Sequence, residues 1–439
     1  MGLCAKAINQ RPRHASSFRA RALFLTDRTS VRGTSSSLRV LRERNFALYF
    51  VGNLASNCGT WFQVIAQSLL VFRLTRSTFL VGVTNFAMFI GVVLLAPWAG
   101  AAADRFDRRK LLILTQIGAA VISATLASLI GINWGTVPVV VAMALALGFT
   151  TAFATPAMQA IVPALVSRRD LGSAIAMNSV TFNLSRAIGG PVGAFVVARV
   201  GIAWAIAMNA LSYVVLIVML LLVKLQAHQT RAQNSGQRPR LRDSVRMVRR
   251  TPHLAILLAV VAAASLTMDP VSTVTPQFAT QIFHRTDVLT GYLIGAFGLG
   301  AVVASVLPIQ QPSDRMIGAM FVLFASGMIV FGVSPVVQVA FPALVAAGFG
   351  YLAGQTRATT LLQQEVGEHE RGRVMALWSV AFLGSRPIAS VIDGGLASLG
   401  GPRVATIAMA MPSLAVALLL LIGARSARAA PSHSDALAS

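Results

Sequence analysis

Charge is scarce in this chain, and acidic charge scarcer still. Only 12% of its 439 residues are charged, and Asp and Glu together number 14. Soluble domains carry about a quarter charged residues, so a water-soluble multidomain enzyme is excluded at the outset. Cysteine is nearly absent: Cys4 and Cys58 cannot build a disulfide framework, and no Cys/His cluster has metal-ligand spacing. The six histidines, His14, His228, His253, His284, His369 and His433, fall in tails or predicted loops. That leaves no histidine metal centre inside the apolar segments, and no metal, cofactor or catalytic residue is expected. A P-loop G-x-x-x-x-G-K-[ST] is also missing, which disfavours ATP-driven work by this chain alone; Gly298-Leu299-Gly300 reads as small-residue packing.

What is present is apolar and basic. Hydrophobic residues make up 55% of the chain, mean hydropathy is +0.70, and 37 Lys+Arg give a net charge of +23. A spanning helix needs about 20 apolar residues at ~1.5 Å rise each. Twelve stretches qualify, near 46–72, 79–103, 111–131, 136–164, 171–198, 202–223, 254–281, 288–310, 316–333, 337–364, 374–398 and 402–424. The expected class is an all-α polytopic membrane protein. Basic residues cluster before residue 45, at Arg105–Lys110 and between Lys224 and Arg250, all on one side if twelve spans alternate. The positive-inside rule then makes both termini cytoplasmic, and nucleic-acid binding is not expected.

The expected division is a disordered basic tail over 1–44, a six-helix bundle over 45–225, a basic linker over 226–252, a second six-helix bundle over 253–425 and a tail over 426–439. Ala22–Leu25 is too short for a secretory h-region, and Lys6 stands where myristoylation needs Ser or Thr. Shifting the chain by 200 residues superposes Gly148-Phe149 on Gly348-Phe349 and Ala176, Ser179, Val180 and Phe182 on Ala376, Ser379, Val380 and Phe382. Ser185-Arg186 falls on Ser385-Arg386 without a gap. An intramembrane Arg matched to another is the costly coincidence. Two parallel bundles follow, and transporters of that build hold their substrate between the halves near mid-membrane.

The stretch Gly100-Ala-Ala-Ala-Asp104-Arg105-Phe-Asp107-Arg108-Arg109-Lys110 resembles the loop signature G-x-x-x-D-R-x-G-R-R/K of the major facilitator superfamily, with Asp107 in place of the second Gly. Ala154-Thr-Pro156-Ala157, Ala160 and Pro163, continuing to Ala176-Met-Asn178-Ser179, Asn183 and Arg186, is similar to its drug and siderophore exporter branch, as is Arg371-Gly372-Arg373-Val374-Met375-Ala376. That branch includes the enterobactin exporter and the macrolide efflux proteins. Gly189-Gly190-Pro191-Val192-Gly193 resembles the antiporter motif G-P-x-x-G-G, with Pro one place late. The resemblance covers about residues 40–425. It implies a cavity lined by spans one, four, seven and ten. It also implies a gating loop of Gly100, Asp104, Arg105, Arg108 and Arg109, with Asp104 near the N-terminus of span eleven.

Asn53, Asn57, Thr60, Gln63 and Gln67 share one face of the first span, and Thr151, Thr155 and Gln159 and then Gln355, Thr359 and Gln363 form shorter stripes on spans four and ten. Such stripes either line a wet cavity or hydrogen-bond between helices. Trp61, Phe62 and the methionines offer an adaptable apolar wall, or plain core. Five charges stay inside the spans: Arg186, Asp269, Arg357, Arg386 and Asp393. Asp269 and Asp393 are candidate proton-coupling groups or static ion-pair partners, while the three arginines are expected to act as charge hubs between helices. The expected function is export of a small amphiphilic molecule by proton antiport and alternating access; uptake or facilitated diffusion of a polar solute is the alternative. The expected partners are a small-molecule substrate, protons and the lipid bilayer of the bacterial inner membrane, with a monomer as the working unit.

Overall fold

The computed structural model describes residues 39–167, 169–223, 251–286, 288–307, 312–366 and 368–429. Most of the expected N-terminal tail, most of the linker over 226–252 and residues 430–439 lie outside the described residues. Among the described residues the chain is helical and has no strand. After a short turn at Val40–Arg42, the first half runs α1 Arg44–Thr75, α2 Thr78–Arg105, α3 Arg108–Gly131, α4 Val137–Leu165, α5 Leu171–Val200 and α6 Ile202–Leu222. The second half begins with α7, regular over Pro252–Met268 and then broken into Pro270–Thr273, Thr275–Gln277 and a π-helical turn Phe278–Ile282. Next come α8 Val288–Val306, α9 Asp314–Val333 and α10 Val337–Gln364. The segments Glu368–Leu383 and Ser385–Ala429 follow; we call the part up to residue 400 α11 and the part from 402 onward α12.

Among the described residues, ten helices are long and apolar enough to cross a membrane. One of them, Leu377–Gly423, contains the non-helical Gly401 and so makes two passages. The twelfth is α1, whose amide and hydroxyl side chains lower its apolarity.

Local chemistry sets the ends of these helices. Ser77 and Ser313 cap α2 and α9 by accepting backbone N–H bonds from Leu80 and Met316 at 3.4 Å each. The turns into α6 and α12 are made by Gly201 and Gly401, with φ of 95° and 81°, a region that only glycine enters cheaply. These two glycines are themselves 200 residues apart, so the repeat seen in the side chains is also written into the backbone. In α7, Pro270 and Pro276 lack the N–H that a continuous ladder needs, and the helix fragments there.

Two of the histidines assigned to loops by sequence lie instead in first helical turns: His253 in α7 and His369 in α11. Pro252 at the first helical position, with its fixed φ, starts α7 earlier than the apolar pattern alone indicates. His253 Nε2 meets Asp314 Oδ1 at 3.0 Å and its Nδ1 contacts Glu365, which ties together the ends of α7, α9 and α10.

The halves meet along two equivalent seams, α5 against α8 and α2 against α11. Both approaches are backbone-close in the half of the molecule away from the Arg105–Lys110 loop. A methyl group on Gly291 of α8 would strike Gly190 O of α5, and one on Gly394 of α11 would lie 2.9 Å from Thr78 O of α2. The same region carries hydrogen bonds between the halves. Thr78 Oγ1 donates to Gln277 Oε1 at 2.8 Å, and Asn85 Nδ2 donates to Thr273 Oγ1 at 3.2 Å. We call this the far end and the Arg105–Lys110 side the basic end.

Candidate functional site between the halves

Four of the five charges that the sequence left inside the spans, Arg186, Asp269, Arg386 and Asp393, converge at the seam. Asp269 ends the regular part of α7 and is 3% exposed; Asp393 of α11 is 0% exposed. Thr273 Oγ1 donates to Asp269 Oδ2 at 3.1 Å while accepting from Asn85 of the opposite half. Asp393 stands beside both Asp269 and Thr273, and neither of its oxygens makes a hydrogen bond of normal geometry among the described residues. Buried carboxylates are costly unless paired or protonated, so two neighbours with one hydroxyl between them form a strongly constrained unit.

The repeat-related arginines approach from the other side. Arg186 of α5 and Arg386 of α11 both reach the thioether of Met268, the residue before Asp269, with nitrogen–sulfur distances of 3.7 and 3.5 Å. The Arg186 guanidinium lies over Trp61, Phe182 and Phe297 at 4.9, 5.4 and 5.5 Å from the ring centroids. The Arg386 guanidinium lies over Phe89 and Phe382 at 4.8 and 5.3 Å. Arg386 is within electrostatic reach of Asp269, and Tyr351 of α10 of both arginines. Arg357 is apart from this group: its Nη1 donates to Ala353 O one turn back in α10, at 3.0 Å.

The polar stripe of α1 divides along its length. Asn53 donates to Asn178 of α5 at 3.0 Å, and Asn57 donates back to Asn53. Thr60 pairs with Tyr213 at 3.5 Å. Gln63, 2% exposed, accepts from Ser123 of α3 and Asn209 of α6 at 2.7 and 2.6 Å, which places it inside the first bundle rather than at the seam. Gln67 is buried, with its Nε2 unbonded. On α4, Thr151 and Thr155 donate to carbonyls of their own helix and Gln159 is exposed. On α10, Gln355 is buried with both amide atoms unbonded, Thr359 accepts from Trp378 Nε1 at 3.0 Å, and Gln363 is exposed.

In the loop at the basic end, Arg108 donates to Ala160 O of α4 at 3.2 Å and Arg109 to Leu221 O of α6 at 2.8 Å. Both satisfy carbonyls near helix C-termini within the first half, where a cation is favoured. Arg105 is exposed, Gly100 has open space around its Cα, and the Asp104 side chain lies outside the described residues. Asp107 has φ −59° and accepts the Lys110 N–H at 2.9 Å, capping α3. The turn therefore needs no glycine where the signature has one.

Sequence reasoning missed Asn85, Gln277 and Met268. For Asn85 a signal existed: an amide alone in an apolar span is costly in lipid and points to a polar partner. Gln277, an amide inside the expected span 254–281, carried the same signal; Met268 gave none, since an apolar side chain in a span announces no partner.

Comparison with known proteins accords with this geometry. The Staphyloferrin A transporter of Staphylococcus aureus is 23% identical over 338 residues, covering 75% of this chain and 84% of that protein. The enterobactin exporter of Escherichia coli O1:K1 is 26% identical over 374 residues, covering 82% and 86%. Among solved structures, the nucleoside transporter NupG matches with a TM-score of 0.68 at 10% identity over 86% of this chain and 99% of that one. A bacterial homologue of the human lysosomal transporter Spinster, inward-facing and unoccupied, gives 0.63 at 12% identity over 89% and 96%. These two likenesses are of fold. The family model described as transmembrane secretion effector matches residues 35–437, and the chain accordingly belongs to that family of major facilitator membrane transporters, a transporter and not an enzyme.

Proposed function

We propose that this transporter exports a small amphiphilic molecule from the cytoplasm in exchange for protons, by alternating exposure of a site between its halves. The observation that carries this reading is the hydrogen-bond chain from Asn85 through Thr273 to Asp269, with Asp393 alongside. It joins a buried carboxylate pair directly to the contact that closes the far end. A proton on the pair removes the repulsion between neighbouring carboxylates and lowers the cost of burying them. Proton loss restores that cost and favours a state in which the far end parts and water reaches the acids. The excess of Lys and Arg at the basic end supports a cytoplasmic location for that end and for both termini. The closeness of α2 to α11 and of α5 to α8 at the far end then corresponds to a state open toward the cytoplasm. The names of the siderophore-handling relatives support a cargo of metabolite or drug size.

The test is transport into everted vesicles under an imposed proton gradient. Wild-type protein is expected to drive accumulation of a lipophilic dye. Asp269→Asn is expected to lose the gradient-driven component while still binding dye in detergent. Undiminished gradient-driven accumulation by that variant removes Asp269 from the coupling mechanism.

A further inference from the structure

The acid pair accounts for two of the four charges at the seam; Arg186 and Arg386 are left over. Their setting is unusual for structural arginines. Buried guanidiniums ordinarily donate to carbonyls or carboxylates. Among the described residues neither of these does. Each makes its one hydrogen bond to the Met268 sulfur, a weak acceptor, and both Nε atoms are unbonded. Among the described residues no carboxylate lies within ion-pair distance of either. Arg186 is 2% exposed and Arg386 is half-buried, so this is not a solvent-satisfied surface pair.

The aromatic rings explain how two such cations are held close together. Trp61, Phe182 and Phe297 present their faces to the guanidinium carbon of Arg186, and Phe89 and Phe382 to that of Arg386. A π face stabilises a cation without neutralising it or using up its N–H donors as a carboxylate would. One nitrogen of each guanidinium, hence one from each half, reaches the same point, occupied by the thioether of Met268, an unbranched side chain with three rotatable bonds. Two forks aimed at one point are the arrangement that a planar oxyanion satisfies. Charge agrees. With one proton shared by Asp269 and Asp393, two arginines and one remaining carboxylate leave a net charge of +1 at the seam.

We propose that Arg186 and Arg386 together form an oxyanion-binding site, and that the cargo is an anionic amphiphile, a carboxylate or phenolate on an aromatic or alkyl body. The oxyanion displaces the Met268 side chain and bridges the two guanidiniums, while the body of the molecule packs on Trp61, Phe89 and Phe382. Because one arginine comes from each half, the bound anion links the halves at mid-membrane. The assignment of this anion as cargo rests on the export reading; the binding site itself does not.

The experiment uses the full chain in lipid nanodiscs and a matched pair of radiolabelled probes, salicylate and salicylamide, which share a ring and differ in the carboxylate. Wild-type protein is expected to bind salicylate about tenfold more tightly or better, and Arg186→Gln and Arg386→Gln are each expected to abolish that preference. Arg186→Lys keeps the charge but not the fork, and should retain part of the preference. Equal affinity for the probes, no binding of either, or a preference that survives in folded Gln variants overturns the site. If a Gln variant fails to fold, the wild-type comparison and Arg186→Lys decide. Gradient-driven dye transport without anion preference refutes this site alone; anion preference without gradient-driven transport refutes the export reading alone.

Discussion

Adding one methyl group to Gly291 should tip the whole transporter. In the closed far end, a Cβ at this position strikes Gly190 O and the Ala194 methyl of α5 and lies 3.0 Å from Gly190 C. All three of these atoms are backbone or attached directly to it, so the contact cannot be relieved by turning a side chain; α5 and α8 must part. Overpacking of this kind costs about 1–3 kcal/mol. On the proposed alternating-access cycle, the penalty applies only while the far end is closed, because opening would separate the same two helices. Gly291→Ala should therefore shift the balance between the two orientations roughly 5- to 150-fold toward the far-end-open state. Spin labels at Trp134 and Val336, exposed residues in far-end turns of opposite halves, report this directly once Cys4 and Cys58 have been replaced. Double electron–electron resonance should show a longer-distance population gaining at the expense of the short one. Gly395→Ala on α11 meets nothing within 4 Å and serves as the control. An unchanged distance distribution in folded Gly291→Ala protein would show that closure does not depend on this contact.

Two further substitutions separate structural from functional roles. Gln63→Leu leaves the Ser123 and Asn209 donors without their acceptor deep in the first bundle, and should destabilise the detergent-solubilised protein by about 1–3 kcal/mol with cargo affinity unchanged; altered affinity without altered melting would put Gln63 at the substrate. Asp107→Ala should cost ~1 kcal/mol through loss of the α3 cap and Asp107→Gly only a few tenths, measured as thermal stability; equal losses in the two would remove the cap as the reason for the aspartate.

Much of the fold is legible because lipid imposes a simple rule on the chain. Span lengths, the 200-residue repeat and the position of Asp269 before Pro270 all follow from what hydrocarbon tolerates. The same rule identified Arg186 and Arg386 as belonging together. It did not reveal what they meet, since Met268 lies on α7, far away in sequence, and carries no charge to announce itself. The α1 stripe shows the limit most clearly. Period alone put five residues on one side of a helix, yet Asn53 turns to α5 while Gln63 turns to α3 and α6. An apolar bundle offers polar side chains partners in several directions, and only the packing decides among them. The Asp107 substitution is the reverse case: an apparent departure from a motif is an ordinary N-cap once the turn is seen.

The fragmentation of α7 beyond Met268 bears on how the molecule moves. A regular α-helical ladder runs from Pro252 to Met268; from Asp269 to Ile282 the backbone stays helical, but Pro270 and Pro276 each remove a donor from the ladder and Phe278–Ile282 widens to a π-turn. Such a segment bends more easily than the intact rod below it, as a cord bends at its frayed end. The stretch that grips Asn85 and Thr78 of the first half through Thr273 and Gln277 belongs to this pliant portion, whereas His253 anchors the stiff portion to α9 and α10. On the proposed cycle, release at one face of the bilayer would then not need to drag the opposite face with it, and the two entrances would be worked in turn rather than as opposite ends of one lever.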